Sequence, residues 1–220
     1  MIIAIDGPAG SGKSTTSKLV ARKLGISHLD TGSMYRAVTV YFIENKYSFD
    51  NIDIDSVMES IDIEISDSIM DEAVFLNGNN VTGKLRSREV SRLVSDISSI
   101  PKVRLKMVEI QREISQNKSM VIDGRDIGTV VFPDAEFKFF ITATIESRAK
   151  RRFDELKLDN SSIDLDEIEK ELKKRDHFDS TRINSPLKKA KDAITIDTTH
   201  LSIDGQVNMI LEIINNNTRR

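Results

Sequence analysis

Short runs of apolar residues bounded by turn-forming residues recur along the chain. Residues 2–5 (IIAI) precede Gly-Pro-Ala-Gly, and residues 119–123, 137–142 and 193–197 form similar runs. Continuous apolar runs of this length between turns predict strands that are buried on both faces. Because helical segments separate these strands, the pattern predicts an α/β fold with a parallel sheet covered by helices.

Helical periodicity is clearest in three of the intervening segments. Residues 14–24 predict a helix that stops at Gly25, and residues 164–178 predict a second one. Ser202 is placed to cap the N-terminus of a final helix. That helix carries an apolar stripe formed by Ile203, Val207, Ile210, Leu211 and Ile214.

The middle of the chain follows a different pattern. Residues 61–65 (IDIEI) alternate between apolar and acidic, and residues 73–76 form another short apolar run. Residues 77–80 (NGNN) predict a turn before Val81. We therefore expect a small antiparallel insert within the α/β domain.

Composition narrows the functional classes. The 220 residues carry 32 Lys and Arg against 35 Asp and Glu, for a net charge of −3, and there is no cysteine. This balance argues against a nucleic-acid polymer as partner, and the missing thiols exclude disulfides and thiolate catalysis. Since we find no signal peptide and no apolar run of roughly 20 residues, we expect a cytoplasmic protein without membrane contact. We also expect it to be a monomer.

Charge is nevertheless distributed unevenly. Residues 50–75 contain nine acidic side chains and no basic one, whereas residues 84–118 carry nine basic and four acidic side chains. Two solvated surfaces would explain this pattern, and so would a basic segment that faces an anionic ligand.

The most specific motif is GPAGSGKS at residues 7–14, which fits G-x-x-x-x-G-K-[ST] between a predicted strand and a predicted helix. Its backbone N–H groups and helix start would cradle phosphates, Lys13 would reach the β- and γ-phosphates, and the Ser14 hydroxyl would bind Mg²⁺. The predicted contacts to ATP and Mg²⁺ are Gly7, Gly10, Ser11, Gly12, Lys13, Ser14 and Thr15.

Two further segments carry candidate chemistry. Asp123 ends a predicted strand, where it could hold Mg²⁺ directly or through water, and Arg125 follows within reach of a phosphate. Arg175, Asp179 and Arg182 have i, i+4, i+7 spacing, so a helix would present them on one face to a phosphate and a sugar or base. A simple turn and a surface ion pair are the competing interpretations.

Other arginines remain ambiguous by pattern alone. Arg36 is either a phosphate ligand or a surface residue. Arg148, Lys150, Arg151 and Arg152 follow the strand at 137–142, either as a solvated helix face or as lid cations that neutralise the transferred phosphate. The three histidines show no metal-ligand spacing and indicate packing or surface positions.

A phosphate-binding loop alone allows a kinase, a hydrolase or a switch protein. The segment at 117–120 (NKSM) lacks the Asp that a guanine-reading N-K-x-D element requires, which disfavours a GTPase. A short chain with many arginines and two insertions favours phosphoryl transfer to a small acceptor, with water excluded by closing lids.

Five segments together resemble the bacterial cytidylate kinases. They are, in chain order, IDGPAGSGKST, LDTGSMYRA, MVIDGRDIGTVVFPDA, RDxxDSTR and DTTHLSID. The resemblance implies a P-loop nucleoside-monophosphate-kinase fold with a parallel five-stranded sheet, an inserted small antiparallel sheet and a lid. Within a single domain it implies a core at 1–30, 96–147 and 185–220, a monophosphate-binding insertion at about 31–95 and a lid at about 148–184.

The resemblance also implies roles for single residues. Ser95, Arg104, Asp126 and Arg182 would contact cytosine, and Arg36 and Arg125 would hold the CMP phosphate. Thr31, Arg175 and Asp179 would lie at the ribose and phosphate. The expected catalytic cations are Lys13, Arg125, Arg151 and Arg152.

The expected enzyme is an ATP-dependent (d)CMP kinase of pyrimidine nucleotide metabolism. It moves the γ-phosphoryl group of MgATP to CMP and dCMP by direct in-line transfer. One alternative is a P-loop kinase for another small acceptor, such as a different nucleoside monophosphate or a shikimate- or gluconate-type hydroxyl. The other is a nucleotide-dependent switch protein.

Overall fold

The computed structural model describes residues 1–47, 52–66, 73–157 and 164–218. The strands are β1 (Ile2–Asp6), β2 (Ser27–Asp30), β3 (Ile63–Ile65), β4 (Val74–Leu76), β5 (Asn79–Asn80), β6 (Met120–Gly124), β7 (Phe137–Thr142) and β8 (Ile194–Asp197). The α-helices are α1 (Lys13–Leu24), α2 (Thr31–Glu44), α3 (Ile54–Glu59), α4 (Arg88–Ser99), α5 (Pro101–Ile114), α6 (Ile145–Lys157), α7 (Leu165–Thr181) and α8 (Ile203–Thr218).

Five strands form a parallel sheet in the order β2-β6-β1-β7-β8. The central strand β1 pairs in register with β6 and β7, so that Asp6 lies opposite Gly124 on one side and Phe140 on the other. Ligands of open parallel sheets bind beyond the carboxyl ends of the strands, and Asp6 and Asp123 both stand at such ends.

Helices cover this sheet through a continuous apolar core. The core residues come from β1, β6, β7 and β8 and from the inner faces of α1 and α8. They include Ile3, Ile5, Val121, Phe139, Ile141, Val20, Ala21, Val207, Ile210 and Ile214. The other face of the sheet is buried as well, since Ala4 and Ile122 are 0% exposed, and burial of both faces is what the continuous apolar runs predict.

A second sheet, with the order β3-β4-β5, is antiparallel and confirms the expected insert. One detail of the prediction is wrong: Asn79–Asn80 belong to a strand, and only Asn77 and Gly78 form the turn. Both turn residues have positive φ, at 49° and 75°, as a tight two-residue hairpin requires.

The chain divides into two compact units. One consists of Met1–Leu29 and Ser119–Arg220 and contains β1, α1, β6 to β8 and α6 to α8. The other is Asp30–Lys118, with α2 to α5 and the small antiparallel sheet. Parts of two predicted segments lie outside the described residues. These parts are residues 48–51 and 67–72, in and beside the acidic block at 50–75, and residues 158–163 of the expected lid.

Most boundaries predicted from pattern are confirmed. Gly25 ends α1 with φ of 66°, and the Ser202 hydroxyl accepts a hydrogen bond from the Gly205 N–H at the start of α8. The structure adds β2, which the apolar pattern does not reveal, and it starts α2 directly after β2, at Thr31. In the part of the chain that the structure describes, no helix is long and apolar enough to cross a bilayer.

Candidate active site

The glycine-rich segment leaves the centre of the parallel sheet and enters α1 directly. Gly7 passes so close to β7 that a Cβ there would lie 2.1 Å from the Ile141 carbonyl oxygen. Gly12 precedes α1 with φ of 86°, a left-handed conformation that side chains disfavour. The N-terminus of a 12-residue helix therefore opens onto this loop, which makes it an anion-binding element.

Lys13 and Ser14 form the first turn of α1, as the motif predicts. The Ser14 hydroxyl donates a 2.6 Å hydrogen bond to Oδ2 of Asp123, which is fully buried at the end of β6. Lys13 is itself 8% exposed, and its charge acts on the same carboxylate. The structure thus joins the phosphate-binding loop to the second predicted segment.

His28 is a neighbour of Asp123 that the sequence pattern did not indicate. Its Nε2 lies 2.9 Å from Asp123 Oδ1, so both carboxylate oxygens have partners. Burial favours the neutral acid, but the hydrogen bond and charge of His28 and the charge of Lys13 outweigh it and lower the pKa of Asp123. Asp123 is therefore held as a carboxylate beside the Ser14 hydroxyl.

These two oxygen donors suit a hard divalent cation. The described residues contain no group of three or more His, Cys, Asp or Glu side chains that could hold a metal ion. A cation here would thus take only part of its coordination from the protein, which is how Mg²⁺ is commonly bound beside nucleotide phosphates.

Arg125 follows β6 and donates from Nε to Asp179 Oδ2 at 2.9 Å. Asp179 lies on α7 and is 3% exposed, so the predicted charge cluster is not a surface ion pair. Arg175 Nε and Arg182 Nη1 lie 4.0 Å and 3.9 Å from its carboxylate oxygens. Three guanidinium groups therefore surround one buried carboxylate.

The helix argument for this cluster needs one correction. α7 ends at Thr181, and Arg182 caps it with an extended backbone (φ −61°, ψ 143°), so Arg182 lies outside the helical face. Its side chain still approaches Asp179. Burial by itself would raise the pKa of Asp179. The charges of Arg125, Arg175 and Arg182 act in the opposite direction and are stronger together, so the pKa is lowered.

The arginines of α6 differ in their surroundings. Arg148 is buried and donates to the carbonyl oxygens of Ala143 and Ala9 and, at 2.5 Å, to Asp176. Its contact with Ala9 ties α6 to the phosphate-binding loop. Gly10 reinforces the approach, because a Cβ there would lie 3.3 Å from the Arg148 Cβ.

Arg151 and Arg152 also have different partners. Arg151 donates to the carbonyl oxygens of Ser11 and Thr198 at 3.2 Å and 2.5 Å, so its guanidinium lies against the phosphate-binding loop. Arg152 instead pairs with Glu155 one turn along α6 at 3.0 Å and is partly exposed. Of the two α6 arginines that are expected to be catalytic, Arg151 is thus the one beside the loop.

The second unit holds four of the predicted substrate residues. Arg36 on α2 donates to the Leu85 carbonyl at 2.9 Å and to the Ser91 hydroxyl at 3.1 Å. Arg104 on α5 is buried, stacks 5.1 Å from the Tyr35 ring centroid and donates to the Ser98 carbonyl. Both guanidinium groups are thus positioned by neighbours within this unit.

Thr31 and Ser95 have less distinctive environments. Thr31 is buried at the first turn of α2, where the Asp30 carboxylate caps the helix by accepting from the N–H groups of Gly32 and Ser33. Ser95 is half-buried on α4, and its carbonyl accepts from the Ser98 hydroxyl.

Comparison with known proteins gives a consistent result. A family model described as cytidylate kinase matches residues 3–216. A protein of Caldicellulosiruptor bescii named cytidylate kinase is 50% identical over 96% of this chain and 94% of its own length. The protein of that name from Carboxydothermus hydrogenoformans is 48% identical over 97% of both chains.

Solved structures agree at the level of the fold. An uncharacterised protein from Eubacterium ventriosum superposes with a TM-score of 0.53 at 15% identity, covering 98% of both chains. A shikimate kinase from Bacteroides thetaiotaomicron superposes with a TM-score of 0.51 at 12% identity, with the same coverage. At these identities the likeness concerns the P-loop kinase architecture alone.

Proposed function

The chain belongs to the cytidylate kinase family, and from this premise we propose that it transfers the γ-phosphoryl group of MgATP to CMP and dCMP. The products are ADP and CDP or dCDP. The observation that carries the proposal is identity of about half the residues over nearly the whole length of named cytidylate kinases, with an intact phosphate-binding loop.

We assign the triphosphate to the loop and the start of α1. The proposed ATP contacts are Gly7, Gly10, Ser11, Gly12, Lys13, Ser14 and Thr15. Ser14 and Asp123 would hold Mg²⁺, which supplies positive charge to the phosphate oxygens when it is bound. Their 2.6 Å hydrogen bond supports this assignment, because it keeps two oxygen ligands together at one strand end.

The acceptor nucleotide is assigned residues from each unit. In the first unit Arg125, Asp126, Arg175, Asp179 and Arg182 are its proposed ligands, and the cluster around Asp179 supports them by holding three guanidinium groups together. In the second unit the proposed ligands are Thr31, Arg36, Ser95 and Arg104. The division of the sequence into core, insertion at about 31–95 and lid at about 148–184 remains a prediction.

The acceptor chemistry explains why arginines outnumber candidate general bases. A phosphate monoester has a second pKa near 6, so at neutral pH its oxygen is already a nucleophile. That oxygen forms a bond to Pγ while the bond from Pγ to the bridging oxygen of ADP breaks. Repulsion between the two polyanions is the main obstacle, and Lys13, Arg125, Arg151 and Arg152 are the cations proposed to reduce it.

An assay of ADP release over AMP, CMP, dCMP, UMP, GMP, dTMP and shikimate tests the proposal. We expect turnover with CMP and dCMP and little with the other acceptors. Lys13→Ala should reduce the CMP-dependent rate by about a hundredfold or more, while circular dichroism shows a folded protein. This variant also controls for a contaminating kinase.

Efficient turnover of another acceptor without turnover of CMP would refute the cytidylate assignment. ADP release that is independent of any acceptor would instead indicate a hydrolase or switch. A Lys13→Ala variant with wild-type activity would refute the assigned phosphate site.

A further inference from the structure

Asp6, the last residue of β1, is a buried carboxylate to which none of the assignments above gives a role. It is 3% exposed, and its two oxygens accept one hydrogen bond each. Oδ1 accepts from the Ile127 N–H and Oδ2 from the Gly128 N–H, both at 2.8 Å. A single carboxylate thus binds two successive backbone groups more than 120 residues away in sequence.

Those two N–H groups open a turn of π-helix, Ile127–Val131, that lacks a cap of its own. Asp126 stands at its N-cap position, but its carboxylate accepts no capping hydrogen bond from the turn. The first N–H groups of a helical turn have no partner within the turn, so another group must satisfy them when they are buried. Asp6 supplies that cap from a neighbouring strand.

Gly128 permits this close approach. A Cβ at this position would lie 3.4 Å from Asp6 Oδ2 and 3.3 Å from Cδ of Lys138 on β7. An alanine Cβ would meet both groups at the edge of van der Waals contact, whereas a branched side chain such as valine would press on the carboxylate and on Lys138 together. The cap depends on both residues, the acceptor and the glycine that admits it.

The capped turn begins directly after Arg125 and Asp126. Parallel pairing fixes the chain up to Gly124, which is in register with Asp6 itself. The two hydrogen bonds to Asp6 then hold the two residues that directly follow Asp126, while the Asp126 carbonyl oxygen accepts from the Val130 N–H at 2.8 Å within the same turn. Asp6 also directly precedes Gly7, so it connects the two phosphate-directed segments of this unit.

We infer that Asp6 is a positioning residue for the acceptor nucleotide, holding the Ile127–Val131 turn and thereby fixing Arg125 and Asp126 in the orientation that binds it. The inference rests on the proposed function, which assigns Arg125 and Asp126 to CMP. Asp6 itself touches no reacting atom.

The pKa of Asp6 offers a way to observe this contact. Burial raises the pKa of Asp6 to about 7, although the N–H groups of Gly128 and Ile127 act in the opposite direction. Of the charges that face it, the Asp126 carboxylate raises the pKa and Lys13 lowers it. A carboxyl that titrates near neutrality provides a signal that can be followed at the two amides it caps.

The decisive variant is Asp6→Asn, which keeps the shape but places an NH₂ donor against one of the two N–H groups. At saturating ATP, we expect the KM for CMP to rise about tenfold or more, because a small displacement of binding groups has large effects. The KM for ATP should stay within about twofold of wild type. Gly128→Val should raise the KM for CMP in the same way, and it decides the matter if Asp6→Asn does not fold.

Glu136→Gln is the matched control. The Glu136 carboxylate accepts the Ile2 N–H at 2.6 Å, at the opposite end of the same strand, and it is largely exposed. Because this end of β1 carries no proposed ligand, both KM values should stay at the wild-type level. The comparison separates positioning from a general loss of strand stability.

A second readout needs no substrate. Amide exchange at Ile127 and Gly128 should be faster in Asp6→Asn than in wild type, and their amide proton shifts should titrate near pH 7 only in wild type. Unchanged exchange at these amides, an unchanged KM for CMP, or a parallel rise in both KM values would overturn the inference. If wild type does not use CMP, the proposed function fails, and the exchange experiment still decides whether Asp6 holds the turn.

Discussion

At the residue scale, burial decides what a charged side chain does. Arg175, Asp179 and Arg182 have a spacing that fits an exposed ion pair as well as a binding cluster. The tertiary structure places Arg125 against Asp179 and buries the carboxylate, so that a charge that is 3% exposed depends on three arginine side chains, two of which are partly exposed. In such an environment, removing one partner leaves the others uncompensated.

We therefore predict that Asp179→Asn lowers the free energy of unfolding by about 2–4 kcal/mol at pH 7. The folded-state pKa of Asp179 lies below its value in the unfolded chain, near 3.9. Its stabilising contribution is therefore present above about pH 4 and is lost as the pH falls through the folded-state pKa. Urea unfolding from pH 7 down to pH 3 should show the difference between the two proteins shrinking.

Asp154→Asn is the control, since Asp154 forms an exposed pair with Lys150 one turn away. Its stability should match wild type at every pH. An Asp179→Asn protein that is as stable as wild type at pH 7 would contradict the assigned cluster.

At the element scale, α6 supports the phosphate-binding loop from outside the sheet. Arg148 and Arg151 donate to the carbonyl oxygens of Ala9 and Ser11, two of the residues between β1 and α1. Arg148 also binds Asp176 on α7, so a single buried guanidinium connects two helices and the loop. The loop conformation depends on these contacts as well as on its glycines.

We predict that Arg148→Met destabilises the fold by about 3 kcal/mol, because it leaves the buried Ala9 carbonyl and Asp176 without their donor. Lys150→Met, two residues along the same helix, removes only an exposed pair and should cost less than about 1 kcal/mol. Thermal or urea unfolding of both variants measures the contrast. Equal losses would show that Arg148 does not support the loop.

At the scale of the whole molecule, the net charge is negative, whereas the side chains proposed to bind the nucleotides are largely positive. The chain carries −3 overall, yet its proposed ligands for two polyanionic nucleotides include lysine and arginine side chains from along the sequence. Several of these cations are held by local partners, as Arg36 is by the Leu85 carbonyl. Local fields act within about one Debye length, so the total charge says little about nucleotide binding.

The corresponding prediction concerns salt. Between 50 and 500 mM KCl, at saturating MgATP, the KM for CMP should rise several-fold, by roughly three to ten times. Circular dichroism at both concentrations confirms that the fold is unchanged. A KM that stays constant or falls would indicate that CMP is bound mainly by uncharged contacts.

How much the sequence reveals depends on the range over which an interaction acts. Apolar runs and turn residues locate β1, β6, β7 and β8, and glycine stops and serine caps locate α1 and α8, because these signals are local. β2 escapes the pattern because Ser27–Asp30 contains a single leucine among polar residues. The motifs and their order were enough to identify the family.

What only the tertiary structure decided are the contacts between distant segments. Three such contacts join residues that are 54 to 122 positions apart. They are the pairing of His28 with Asp123, the cap that Asp6 provides for residues 127 and 128, and the pair of Arg125 with the buried Asp179. The sequence determined the fold class, the phosphate-binding loop and the residue types available, since these follow from local patterns. Which carboxylate meets which partner depends on strand order and burial, and so on the folded chain.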